Sequence, residues 1–122
     1  MPTLKEAVLA RELVLKDGVR TLKDSIVDRE EFVCAVPSEF TVVLGSIFRG
    51  QPDETFSIST DVLSHMGNPI WSASETLQIG SNGSLEVYGK ISIPVLDVGP
   101  CYILLKVDNA EAWRQRIFFA RA

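Results

Sequence analysis

Apolar residues recur along this chain mostly with a period of two, the spacing that puts alternate side chains on one face of a β-strand. Phe40, Val42, Leu44 and Phe48 alternate with Thr41, Val43 and Ile47 around Gly45-Ser46, so this run is apolar on both faces and reads as a central strand. Phe56, Ile58, Thr60 and Val62 share one face while Ser57, Ser59 and Asp61 share the other, the mark of a half-buried strand. Trp71, Ala73, Leu77 and Ile79 oppose Ser72, Ser74, Thr76 and Gln78, with Met66-Gly67-Asn68-Pro69 as the turn between the two runs. Matching faces requires a loop of even length, because a one-residue slip inverts every side chain. The resulting register pairs Phe56 with Ile79, Ile58 with Leu77, Thr60 with Glu75, Val62 with Ala73 and Ser64 with Trp71. Glu75 alone is out of place on that apolar face. It reads as a carboxylate at an open sheet edge bonded to Thr60, with a ligand or catalytic acid as the sharper alternative.

After the Gly80-Ser81-Asn82-Gly83 turn, Leu85, Val87, Ile91, Ile93 and Val95 alternate with Glu86, Tyr88, Lys90 and Ser92. Tyr102–Val107 is apolar on both faces, a second central strand, and Asp108-Asn109-Ala110-Glu111 turns the chain into a last strand in which Trp113, Ile117 and Phe119 alternate with Arg114, Arg116 and Phe118. Leu4 to Leu15 contains good helix formers and partly fits either period. The Asp17-Gly18 hairpin signal behind it favours two strands, the second over Arg20–Val27. Asp28 to Ser38 reads as a connection with some extended structure over Phe32–Val36.

Seven to eight short strands with turns at this spacing predict an all-β, antiparallel immunoglobulin-like β-sandwich, one domain over residues 1–122. The segment Leu96-Asp97-Val98-Gly99-Pro100-Cys101-Tyr102 resembles the tyrosine corner of immunoglobulin and fibronectin type III sandwiches, and that resemblance gives Gly99 and Tyr102 structural roles, the phenol bonding back to upstream backbone. A narrower resemblance rests on Lys16-Asp17-Gly18 after an N-terminal strand, the strand Phe40–Arg49, Met66-Gly67-Asn68-Pro69-Ile70, and Gly99 through Asp108. These are similar to a family of small bacterial β-sandwich proteins with no assigned activity. The chain departs from that pattern at Asn109, where the family often has Gly; Asn also tolerates positive φ. The resemblance implies the fold and leaves function open.

Composition narrows the function classes. The 122 residues, 46% hydrophobic, can bury a core without metal or disulfide staples. A net charge of −4 argues against nucleic acid and anionic membrane as partners, since those surfaces are bound by clustered Lys and Arg. The start Met1-Pro2-Thr3-Leu4-Lys5-Glu6 has no secretory pattern and no apolar run reaches a membrane span, so a cytoplasmic location is expected. Cys34 and Cys101 allow a disulfide or two buried thiols, and a reducing compartment favours thiols.

Candidate chemistry is sparse. His65, the only histidine, sits at a hairpin end and reads as a surface residue rather than part of a triad. Asp24, Asp28, Glu30 and Glu31 lack the Asx-and-Gly ladder of a calcium loop. Neither metal nor cofactor is implied, and no paired acids or activated nucleophile point to an enzyme. The expectation is a non-catalytic protein-binding module using end loops or a face carrying Tyr88, Lys106, Arg114 and Arg116. The alternative is a structural subunit that self-assembles through a sheet edge or an apolar face, for which Trp113, Phe118 and Phe119 are suggestive.

Overall fold

A computed structural model describes the whole chain, Met1–Ala122, as nine strands and no helix. They are β1 (Thr3–Lys16), β2 (Val19–Ser25), β3 (Glu30–Cys34), β4 (Ser38–Arg49), β5 (Thr55–Leu63), β6 (Pro69–Gln78), β7 (Ser84–Val95), β8 (Gly99–Val107) and β9 (Ala110–Arg121). Sheet A is four-stranded in the order β2-β1-β4-β7, and sheet B is five-stranded in the order β3-β9-β8-β5-β6. No helix is long and apolar enough to cross a membrane.

The two-residue alternation explains the core. Phe40, Val42, Leu44 and Phe48 of β4 and Ile91, Ile93 and Val95 of β7 face Phe56, Ile58 and Val62 of β5, Cys101, Ile103, Leu105 and Val107 of β8, and Ile117 and Phe119 of β9. Aromatic pairs occupy the two ends. Phe40 stands edge-on to Phe119 at 5.2 Å and 4.7 Å from Phe32, while Phe48 lies 5.0 Å from Phe56. The double-sided runs are central strands as expected: β4 lies between β1 and β7, and β8 between β5 and β9. Cys34 and Cys101 are free, and burial pushes the Cys101 thiol up to about 12.

Residues 3–16 form a strand, but one used twice. Up to Ala10 it pairs with β4; from Ala10 to Lys16 it pairs with β2 instead. Asp17 and Gly18 both take positive φ, 52° and 77°, as a two-residue hairpin turn of this twist requires. The hairpin folds back over the outer face of sheet A. The Leu22 Cδ1 lies 2.7 Å from where a Cβ would stand on Gly45, and the Arg20 guanidinium lies 5.6 Å from the Tyr88 ring. Ala10 and Val43, which pair with each other and face away from the core, are nonetheless buried.

Three expectations are corrected. The connection Asp28 to Ser38 contains β3, which pairs with β9 in parallel, so the sandwich has nine strands and is not wholly antiparallel. The β5–β6 register is two residues from the expected one: Phe56 pairs with Leu77, Ile58 with Glu75, Thr60 with Ala73 and Val62 with Trp71, and a bulge follows at Val62/Leu63. A two-residue shift keeps every side chain on its face, so alternation cannot detect it. The tyrosine corner is only half present. Gly99 does take positive φ (115°) where the chain passes from β7 in sheet A to β8 in sheet B. Tyr102, however, pairs with Arg116 on the outer face of sheet B, and its hydroxyl bonds to no upstream backbone group.

Candidate protein-contact site

Four strands end the sheet orders, β2 and β7 in sheet A and β3 and β6 in sheet B. The first half of β1, which pairs only with β4, also has an open side, broken by a bulge between Leu4 and Glu6 and bearing Lys5 and Glu6. An edge strand presents unpaired N–H and C=O groups to any extended chain, and proteins block this with charge, proline, short length or a cover. Strand β2 carries Arg20, Lys23 and Asp24; β3 is only 5 residues long with two glutamates; β7 carries Glu86, Lys90 and Pro94. By contrast β6 is 10 residues long, has no proline after its first position and no Lys or Arg, and bears one charge, Glu75. It is the unguarded edge of this molecule.

Strands β6 and β7 lie on the same side of the sandwich, and a cleft of about 170 Å³ runs inward between them. Its apolar wall is Leu44, Ile58, Trp71, Val87 and Leu105. Gly89 lies at the rim, and a Cβ added there would meet nothing within 4 Å, so the cleft is open at that point. Glu75, exposed and opposite Ile58 rather than Thr60, stands at the mouth. Its expected bond to Thr60 is therefore not formed: the pairing puts Ala73 across from Thr60. Ser46, buried in the floor, donates to the Val87 carbonyl at 3.5 Å. On the other side of β6 lies a bed of hydroxyls, Ser57 opposite Thr76 and Ser59 opposite Ser74, with Ser72 Oγ donating to Asp61 Oδ1 at 2.7 Å.

The residues expected to form one binding face are split. Tyr88 is on the outer face of sheet A beneath the β1–β2 hairpin, whereas Lys106, Arg114 and Arg116 are on the outer face of sheet B. Alternation tells which residues share a strand's face, but β7 and β8 belong to different sheets, so their outward faces point in opposite directions. Arg49, another cation, ends β4 in sheet A and so lies apart from these three. The row on sheet B is also largely neutralised. Lys106 Nζ lies 3.7 Å from Asp61, Arg114 binds Glu111 at 2.8 and 3.3 Å, and the Arg116 guanidinium lies 5.5 Å from the Phe118 ring. Hydrogen bonding to Arg114 holds the Glu111 carboxyl below its ordinary range, and the same bond holds Arg114 above its own.

The other candidate groups serve the backbone. Asp28 Oδ1 accepts from Arg116 N at 2.8 Å and Glu30 Oε1 from Val27 N at 3.1 Å, so this acidic segment anchors β3 and its approach to β9. His65 is exposed in the β5–β6 turn, whose geometry is set by Ser64 Oγ accepting from Met66 N and Asn68 N.

No family model and no curated protein matches the chain. Among solved structures it is similar to part of a glycosyl hydrolase family 2 member from Bacteroides cellulosilyticus, with TM-score 0.55 and 8% identity over 70% of this chain and 13% of that one. It is also similar to part of the Pseudomonas fluorescens alkylpurine DNA glycosylase AlkC, solved bound to DNA containing an abasic site analog, with TM-score 0.51 and 8% identity over 74% of this chain and 28% of that one. The chain thus spans less than a third of either neighbour, and at this identity the likeness is one of fold.

The signal for β6 was present in the sequence. Between Ile70 and Gln78 stand only one charged residue and neither Lys nor Pro. The open sheet edge read at Glu75 is where the strand order puts β6; the expected bond to Thr60 is what fails.

Proposed function

We propose that this chain is a non-catalytic protein-binding module whose contact element is β6. An extended segment of a partner adds to sheet B beside β6, its main chain bonding to the free edge while one inward side chain enters the cleft next to Trp71. The observation that carries this reading is the contrast among the edges, the others guarded and β6 not. The cleft supports it as a source of specificity. A cavity of about 150 Å³ accommodates benzene, so a cleft of about 170 Å³ takes one aliphatic or small aromatic side chain. The cleft wall brings a single carboxylate, Glu75, and neither a second acid nor the histidine, which supports binding rather than catalysis.

The test is selection of a random heptapeptide display library on the protein, followed by amide chemical-shift mapping with a selected peptide. Shifts concentrated on Ile70–Gln78 and on the cleft residues Trp71 and Gly89 are expected. Shifts concentrated instead around Lys106, Arg114 and Arg116, or on the end loops, would overturn the reading.

A further inference from the structure

Resting on that strand-addition reading, we infer that the segment that adds to β6 is β6 of a second copy, antiparallel to the first about a two-fold axis through Ser74. In β6 the inward residues are Trp71, Ala73, Glu75 and Leu77, and the outward ones are Ser72, Ser74, Thr76 and Gln78; Ile70, at the bulge, packs on the core. Both copies keep their faces only if the axis passes through a residue rather than between two. Three central positions are then available. An axis through Glu75 sets two carboxylates directly opposite each other, which is destabilising. An axis through Ala73 sets Glu75 against Trp71 and Leu77 against Pro69, the residue with no N–H to give.

An axis through Ser74 sets Trp71 of each copy against Leu77 of the other, Ser72 against Thr76, Ala73 against Glu75, and Ser74 against itself. Apolar residues meet apolar ones and hydroxyls meet hydroxyls, the pairings that stabilise antiparallel strands. The single charge of each strand faces a methyl group, with the two carboxylates on a diagonal. One strand thus supplies both halves of a complementary pattern, which a foreign segment would have to match independently. The operation also keeps the inner faces on one side, so the two clefts face each other across the new pair and each half-buried Trp71 gains an apolar neighbour. The result is a continuous ten-stranded sheet, two copies of five-stranded sheet B.

Oxidative cross-linking reads the register directly. Cα atoms directly opposite lie about 4.5–5.5 Å apart, within disulfide range, so Ser74→Cys gives a covalent dimer. Ser72→Cys does not, because its own counterpart lies four residues away along the strand, about 13 Å. The unsubstituted protein is the control for Cys34. Sedimentation equilibrium supplies the second readout. Ser74→Lys sets like charges opposite each other and weakens the dimer at least several-fold, while Ala73→Lys faces Glu75 twice and tightens it by about 2- to 30-fold. Both positions are exposed, so the variants fold. Equal cross-linking of Ser72→Cys and Ser74→Cys, or no response to either lysine, overturns the inference. A monomer at all concentrations whose β6 still binds selected peptides overturns the second copy and leaves strand addition standing; a monomer whose β6 binds neither overturns both.

Discussion

Substituting Gly45 by Ala tests whether the β1–β2 hairpin lies on sheet A as described. Gly in a strand interior costs about 0.5–1 kcal/mol relative to Ala, so on backbone entropy alone the change stabilises. The new Cβ, however, would stand 2.7 Å from Leu22 Cδ1 and 3.2 and 3.3 Å from the Tyr88 ring. Leu22 Cδ1 is the tip of a half-buried side chain that can swing aside, so the cost stays near the lower end of the usual overpacking range of about 1–3 kcal/mol. The net effect is a loss of up to about 1 kcal/mol, or roughly 0–4 °C in thermal midpoint for a chain of this size. The decisive arm is Leu22→Ala. With that methyl gone, only the Tyr88 edge remains near, and a small ring movement relieves it. Gly45→Ala in the Leu22→Ala background is therefore expected to be neutral or stabilising, a coupling of about 1 kcal/mol. Urea denaturation of the four proteins, followed by tryptophan fluorescence, measures it. Effects that add to within about 0.5 kcal/mol would mean the two residues do not touch, and the folded-back hairpin would be wrong.

Further outcomes follow from particular side chains. Tyr102→Phe is expected to change stability by less than about 0.5 kcal/mol, because the hydroxyl has no partner; a loss of 1–3 kcal/mol in the same denaturation assay would restore the tyrosine corner. Gln115→Leu removes the buried bond from Nε2 to the Ile26 carbonyl (2.8 Å), which joins the end of β2 to sheet B. It should cost about 1–3 kcal/mol by leaving that acceptor unpaired, and an unchanged urea midpoint would contradict this. For Cys101 the folded-state thiol is raised from 9.0 to about 12. The unfolded chain therefore loses its proton first, and stability complete below pH 9 is lost as pH rises from 9 towards 12, by about 1 kcal/mol per unit. Cys101→Ala should flatten that part of the pH profile relative to the unsubstituted protein; parallel profiles would refute it.

The sequence revealed faces far better than neighbours. Which residues of β5, β7 and β9 point inward followed from alternation, since a strand between a core and solvent cannot be patterned otherwise; β4 and β8, apolar on both faces, showed only that they are central. The two-residue β5–β6 slip and the parallel β3–β9 pair were hidden, because neither alters which face a side chain occupies. The hairpin over Gly45 was hidden for a related reason: an outward glycine looks the same in sequence whether solvent or a folded-back hairpin stands above it. The expected site failed on sheet membership, with Tyr88 on one sheet and Lys106, Arg114 and Arg116 on the other. Tyr102 failed because the motif sets only a spacing, whereas the bond depends on which face the tyrosine takes in β8. Conversely, Glu75 alone signalled an open edge, and the contrast of Ile70–Gln78 with the other edges emerges only once the strand order is known.

Backbone amide hydrogen exchange, measured residue by residue over a wide range of protein concentration, addresses the role of β6 most directly. Protection that rises with concentration at alternate amides between Ile70 and Gln78, with β2, β3 and β7 unchanged, is the expected result. Exchange along β6 that stays independent of concentration, or protection appearing on a different edge, would contradict β6 as the surface through which the copies associate.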